Sequence, residues 1–477
     1  MREGQNVRRV SGRAIGSLFL SFLAGGALSS GCGEEEPSLG GVGPAGAAVT
    51  IRFLRHNNPN YIVADRAFFD EYEAAHPNVK IEDTTVNFQS LAAALAGDLK
   101  NDRFEYDLVL IPPSRLCGFA ANTTDVPPEV ITLEQARELM FAAPLAGSTC
   151  GGRLKGLPVE YNLEYGGVVV NLDKYEAKFG RAPQWPDWPT FIAEAAMLTE
   201  YDAQGNPRAN GLDIDPVWTP ATWEILLSQI LQRGGKYWTD GPGGDESSFD
   251  ANEGDLFNFN TAEARASLTE MVGWITVNKV MFPELVPDKN THVITRLASG
   301  AAGYGWNDPT KPLAVMGYLG TAGVPSARAE LPPGTNWRFD YFPVPPMVGT
   351  EHRFVQSSGW SFAVPNTSKH PTVAWDIAKA LALSPQKMRQ WSAVTGALPA
   401  LKENGSPSAA AAHPSAAKVQ HLLERGQWIG YIPVGGYGTV VGAFPANFFA
   451  AAKGMKTIEG ALADMEQTIN QAILQHR

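Results

Sequence analysis

Trp306-Asn307-Asp308 puts a flat aromatic ring, a planar amide and a carboxylate in three consecutive residues, just after Tyr304 and Gly305. Together they suit a molecule with an apolar face and a belt of hydroxyls, as a sugar ring has. The indole can cover the C–H face while the amide and the carboxylate take the hydroxyls. The preceding stretch, Ala298 to Gly303, holds only small residues, and its glycines let a backbone come close. Tyr161 with Asn162, and Trp360 after Gly359, offer similar groups, and Asn58, Trp218, Trp223 and Tyr437 stand in further candidate loops. Each aromatic has a competing reading as core, because most of the 12 Trp in a chain this size pack inside.

Catalytic patterns are poorer. The chain has no His-Glu-x-x-His, no Gly-x-Ser-x-Gly and no phosphate-binding loop, and its eight His are scattered. Carboxylates are plentiful, but no pair stands in a setting that marks glycoside hydrolysis. Asp240, Asp245, Glu246, Asp250, Asn252, Glu253 and Asp255 could offer oxygen ligands to calcium, yet their spacing is not that of an EF-hand, so a solvated acidic loop is the simpler reading. The expectation is a binding protein without cofactor or metal; the rivals are a surface-tethered glycoside hydrolase and an adhesin or sensor accessory protein.

The amino end bears on where such a protein works. Arg2, Arg8, Arg9 and Arg13 precede the apolar run Ala14 to Leu28, which is too short to span a bilayer and ends in Ser29-Ser30-Gly31-Cys32. This order predicts an export signal over residues 1–31, with Cys32 as a lipidated first residue in a lipobox-like setting and membrane anchorage outside the cytoplasm. Residues 32–48 are acidic, then rich in Gly, Pro and Ala, and read as a flexible tether. Beyond the signal the chain carries 34 basic and 48 acidic residues, net −14, which argues against nucleic acid as a partner. Besides Cys32 only Cys117 and Cys150 remain, an even pair that predicts a disulfide in an exported protein.

Val49 to Leu54 reads as a strand, Ala64, Phe68, Tyr72 and Ala75 as a helix face, Val79 to Ile81 as a second strand and Tyr106 to Ile111 as a third. That is β-α-β-α-β, an α/β layer whose ligands belong beyond the carboxyl ends of the strands, at Asn57 to Asn60, Asn87 to Ser90 and Pro112 to Cys117. Further on, Asn260 with Glu263 reads as the start of another helix.

Several segments, in one order over about residues 50–475, resemble the family 1 extracellular solute-binding proteins, the maltose-binding-protein-like group. They are Phe69 to Ile81, Gly156-Leu157-Pro158 with Val170-Asn171-Leu172-Asp173, Phe259 to Ala264, Gly359 to Pro365, Ala374-Trp375-Asp376 and Thr395 to Ala400. The resemblance implies a two-lobed, type II periplasmic-binding-protein-like fold, two discontinuous α/β lobes joined by crossing hinge strands. It implies a small solute, a sugar or oligosaccharide, held between the lobes by hinge closure and delivered to ABC permease subunits. On this pattern lobe 1 is expected at 49–157 and 304–358, and lobe 2 at 158–303 and 359–477.

Overall fold

The computed structural model describes residues 47–87, 90–91, 94–95, 105–163, 166–214, 220–242, 249–282, 293–298, 313–356, 359–405, 418–432 and 434–476. The chain first builds four strands of one sheet, β1 (Val49–His56), β2 (Val79–Val86), β3 (Leu108–Ile111) and β4 (Leu157–Pro158). β1 runs parallel to both β2 and β3, with Ile51 opposite Ile81 and Phe53 opposite Leu108. Helix α1 (Pro59–Ala75) makes the first crossover. Asn58 caps it by accepting a hydrogen bond from the Asn60 N–H, Pro59 fills its first turn, and Tyr61, Ala64, Phe68 and Tyr72 face inward.

The second sheet contains β5 (Gly167–Asn171), β6 (Glu200–Tyr201), β7 (Pro207–Asp213), β8 (Leu313–Tyr318) and β9 (Phe339–Pro343), in the order β9-β5-β8-β7-β6. β5 lies between β8 and β9 and antiparallel to both, with Val169 opposite Gly317 and Tyr341. A short strand, β10 (Phe354–Gln356), then leads the chain away, and β11 (Ser361–Ala363) enters the first sheet between β3 and β4, antiparallel to each, to give the order β2-β1-β3-β11-β4.

Each sheet carries its own apolar core. One collects Ile51, Phe53, Val109 and Phe362 with residues of two later helices, Trp375 and Trp391 among them. The other collects Val168, Phe191, Trp223, Trp274, Phe444 and Ile469. A third, smaller cluster, with Phe141, Tyr161, Tyr341, Phe354 and Leu398, packs where the chain passes between the two.

The strand register corrects the expected partition. Residues 313–343 supply β8 and β9 to the second sheet, not to the first, and residues 361–395 return to the first lobe through β11 and its helices. The cause is a three-residue strand whose partners are far away in sequence, so no local pattern marks its sheet. Two smaller differences accompany it: the third strand starts at Leu108, and Thr261, not Asn260, caps the helix Ala262–Thr276. Cys117 and Cys150 are joined, as their count predicts.

Candidate ligand-binding site

At the carboxyl end of β1, Arg55 is wholly buried and pairs with Asp65 of α1 and with Asp83 of β2, the latter at 2.6 Å. The Trp391 indole donates to Asp65 at 2.7 Å. Burial raises the Asp65 carboxyl to about 6, although Arg55 and Trp391 pull it down. On this base His56 presents its ring to Trp360, stacked at 4.1 Å with 9° between planes, while Tyr61 meets the same ring edge-on. Burial, helped by the Arg55 charge, holds His56 down at about 3, so the ring is neutral over the physiological range.

Trp360 owes its place to Gly359, whose φ is +124° and where a Cβ would come within 2.8 Å of the Glu160 carbonyl. Glu160 and Tyr161 form a strand against Leu398 and Pro399, both fully buried, so Tyr161 belongs to the packing between the lobes. Asn162 next to it is half-buried.

Beyond β3, the short helix Pro113–Leu116 carries Arg115, which is buried and lies over the Tyr437 ring at 5.4 Å. Desolvation lowers the Arg115 pKa. Tyr437 stands on the helix Val434–Ala452 of the second lobe and meets Trp223 edge-on at 6.1 Å. Trp223 comes from α2 (Pro220–Gln232) and also packs on Phe444. Trp223, Tyr437 and Arg115 thus make a continuous contact from the second core to the first lobe.

Apart from these contacts, a cavity of about 970 Å³ is lined by residues of both lobes. Its first-lobe side includes the Cys117–Cys150 disulfide, Arg137 and Lys155, and its second-lobe side includes Asp250, Gln427 and Tyr431. The volume is at the upper end of what small-molecule sites enclose. Lys155 is held at 2.8 Å by Asp125 and donates to the Thr123 carbonyl at 2.9 Å, so it stiffens the wall.

Of the residues singled out in the sequence, Trp306, Asn307, Asp308 and Trp218 lie outside the described residues. Trp360 stacks on His56 in the first core, Tyr161 packs on Phe141 in the small cluster between the lobes, and Trp223 touches Tyr437. Asn58 serves as a helix cap, and Trp223 is a fully buried core residue. None of the described candidates for solute contact lines the cavity itself, although the Cys117–Cys150 disulfide and Asp250 and Asn252 of the acidic loop do. The sequence does not single out His56 and Arg115; their only signal is position, at or just beyond the carboxyl ends of two parallel strands. In the acidic loop, Asp255 accepts from the backbone of Gly241 and Asp250, both at 2.8 Å, and no metal-holding group of His, Cys, Asp or Glu occurs among the described residues.

Comparison with known proteins agrees with this architecture. The maltose-bound MalE3 of T. maritima superposes with a TM-score of 0.65 at 15% identity, over 88% of this chain and 99% of that one. A cyclic alpha-maltosyl-1,6-maltose binding protein from Arthrobacter globiformis gives 0.64 at 19%, over 90% and 100%. An ABC transporter solute binding protein from Thermotoga lettingae, bound with alpha-D-tagatose, gives 0.68 at 15%, over 89% and 100%. No curated protein matches the chain in sequence. The fold is the two-lobed one of these binding proteins, and a family model described as bacterial extracellular solute-binding protein matches residues 67–418, so the chain belongs to that family.

Proposed function

We propose that the protein captures a sugar or oligosaccharide between its lobes, leaves it chemically unchanged, and delivers it to the permease subunits of an ABC importer. The observation that carries this reading is the cavity walled by both lobes, since a solute there touches both sides only when they close on it. Trp306, Asn307, Asp308 and Asn162 are the residues we assign to the solute, with Trp360 and Tyr437 as aromatic neighbours. The basic-then-apolar amino end and Cys32 support our reading that the protein works outside the cytoplasm on a lipid anchor. Cys32→Ser followed by cell fractionation tests the anchor: unchanged membrane association of the processed variant refutes it.

Thermal shift and calorimetry against a panel of sugars, with product analysis, test the function. A ligand at 100 times its Kd that binds only the folded state adds about 2.7 kcal/mol of stability. Saturable binding without product is the expected result, and turnover would identify an enzyme instead. Trp306→Ala should weaken binding by roughly 1–3 kcal/mol with the unliganded melting temperature nearly unchanged. A variant that loses stability and keeps its affinity would move Trp306 from the site to the core.

A further inference from the structure

The first-lobe wall of the cavity carries charge of one sign. Arg137, Arg153 and Lys155 line it, and no Asp or Glu does. In a chain with 49 acidic and 38 basic residues this is a local reversal of sign. Firm elements present all three. The helix Leu133–Leu139 starts on a capping box of Thr132 with Gln135, and Arg137 stands four residues after Leu133, on the face that lines the cavity. Arg153 belongs to a hairpin in which it pairs with Cys150, Lys155 follows directly, and the disulfide to Cys117 pins that hairpin.

What neutralises the three cations decides which solute they suit. Asp125 pairs with both Arg153 and Lys155, so one carboxylate serves two cations and the group keeps a net positive charge. Arg137 is exposed and has no carboxylate partner among the described residues. Across the cavity Asp250 is the single acid in the lining; it accepts from the Asn252 N–H at 2.8 Å and pairs with none of the three cations. Desolvation raises the Asp250 pKa, and the charges of Glu253 and Asp255 add to the rise, so Asp250 repels an anion less than a solvated carboxylate would. Much of the remaining first-lobe wall is short and apolar, Ala142, Ala143, Leu145 and Ala146 among it, which lowers the local dielectric and leaves the cations to discriminate. A guanidinium takes a carboxylate or a phosphate through two parallel N–H bonds, a geometry that a single hydroxyl does not match.

We propose that the solute carries an anionic group, a carboxylate or a phosphate, which Arg137 receives while Arg153 and Lys155 add positive charge. The protein thus selects an acidic sugar over its neutral counterpart. This rests on the solute-binding reading above and names the class of solute.

The test is calorimetric titration of the full chain with D-galacturonate against D-galactose, D-glucose 6-phosphate against D-glucose, and maltose, for wild type and Arg137→Gln. Wild type should bind one acidic probe at least about tenfold more tightly than its neutral counterpart, and which of the two it prefers separates a carboxylate from a phosphate. That preference should shrink as NaCl is raised. Arg137→Gln should lose most of it, with an unchanged unliganded melting temperature. A wild type that binds maltose or the neutral sugars as well as the acidic ones overturns the anionic class and leaves sugar binding intact. Binding of none of the five probes overturns both readings, and an acidic preference that survives in Arg137→Gln overturns the assignment to this wall. Should the variant fail to fold, the salt series on wild type decides: an acidic-probe affinity indifferent to NaCl refutes the proposal.

Discussion

Two buried polar groups of side chains behave in opposite ways. In the first lobe Arg55, Asp65, Asp83 and Trp391 pair with one another across β1, α1, β2 and a later helix, with only the Arg55 Nε of the guanidinium left without a partner among the described residues. In the second lobe Thr222, Gln229 and Gln356 are as deeply buried, and their polar side-chain atoms have no hydrogen-bond partner among the described residues. The contrast is not one of lobes as such, because the second lobe also holds the fully buried pair Arg296–Asp213, bonded through two nitrogens at 2.7 and 2.8 Å. Charge-paired networks tie elements together, whereas an unpaired buried amide contributes no such tie.

The largest expected effect comes from opening the charged network of the first lobe. Arg55→Met leaves the Asp65 and Asp83 charges without their cation, and urea unfolding should show a loss of about 3–5 kcal/mol, with solute affinity of the remaining folded protein little changed. A loss below about 1 kcal/mol would place Arg55 outside the architecture and make the comparison meaningless. The disulfide comes next. It closes a loop with a sequence separation of 33, so Cys117→Ser with Cys150→Ser should cost about 3–4 kcal/mol in the chain-entropy model. Because the bond stands in the cavity wall, affinity should fall as well; full affinity in the double variant would separate wall from site.

Smaller still is a pH effect. His56 is held at about 3 and His352 at about 4, both mainly by burial, against 6.5 when unfolded. As pH falls below 6.5 the unfolded chain takes up protons that the folded chain refuses, so stability is lost between about pH 6.5 and 3. Asp65, raised to about 6, acts in the opposite sense: the folded chain protonates it first, which adds stability as pH falls from 6 to 3.8. Two histidines outweigh one carboxyl down to pH 5, by on the order of 1–2 kcal/mol per histidine. His56→Gln should therefore lose less stability than wild type between pH 7 and 5, and superimposable pH curves would refute this account.

The early β-α-β pattern was readable because β1 and α1 keep their apolar periods, and the disulfide was readable from a cysteine count in an exported chain. Lobe membership after Leu313 was not, since Ser361–Ala363 is too short to show a period and its sheet depends on Val109 to Ile111, some 250 positions earlier. Aromatic candidates were easy to list and hard to sort: Trp223 packs a core while Trp360 stacks on His56, and type and spacing do not separate these outcomes. Gln229 and Gln356 give no sequence signal at all, because a glutamine is informative only once its missing partners are known.

The insertion of β11 between β3 and β4 has a consequence in time. A chain that emerges from its amino end, from a ribosome or through a membrane pore, presents β1 to β4 long before the strand that must lie among them. Until residues 361–363 arrive, Leu108 to Ile111 keeps one edge without its partner, and the first lobe stays unfinished while the second is being delivered. Such long-range pairing folds slowly. Slowness of this kind keeps a polypeptide threadable for as long as it is in transit.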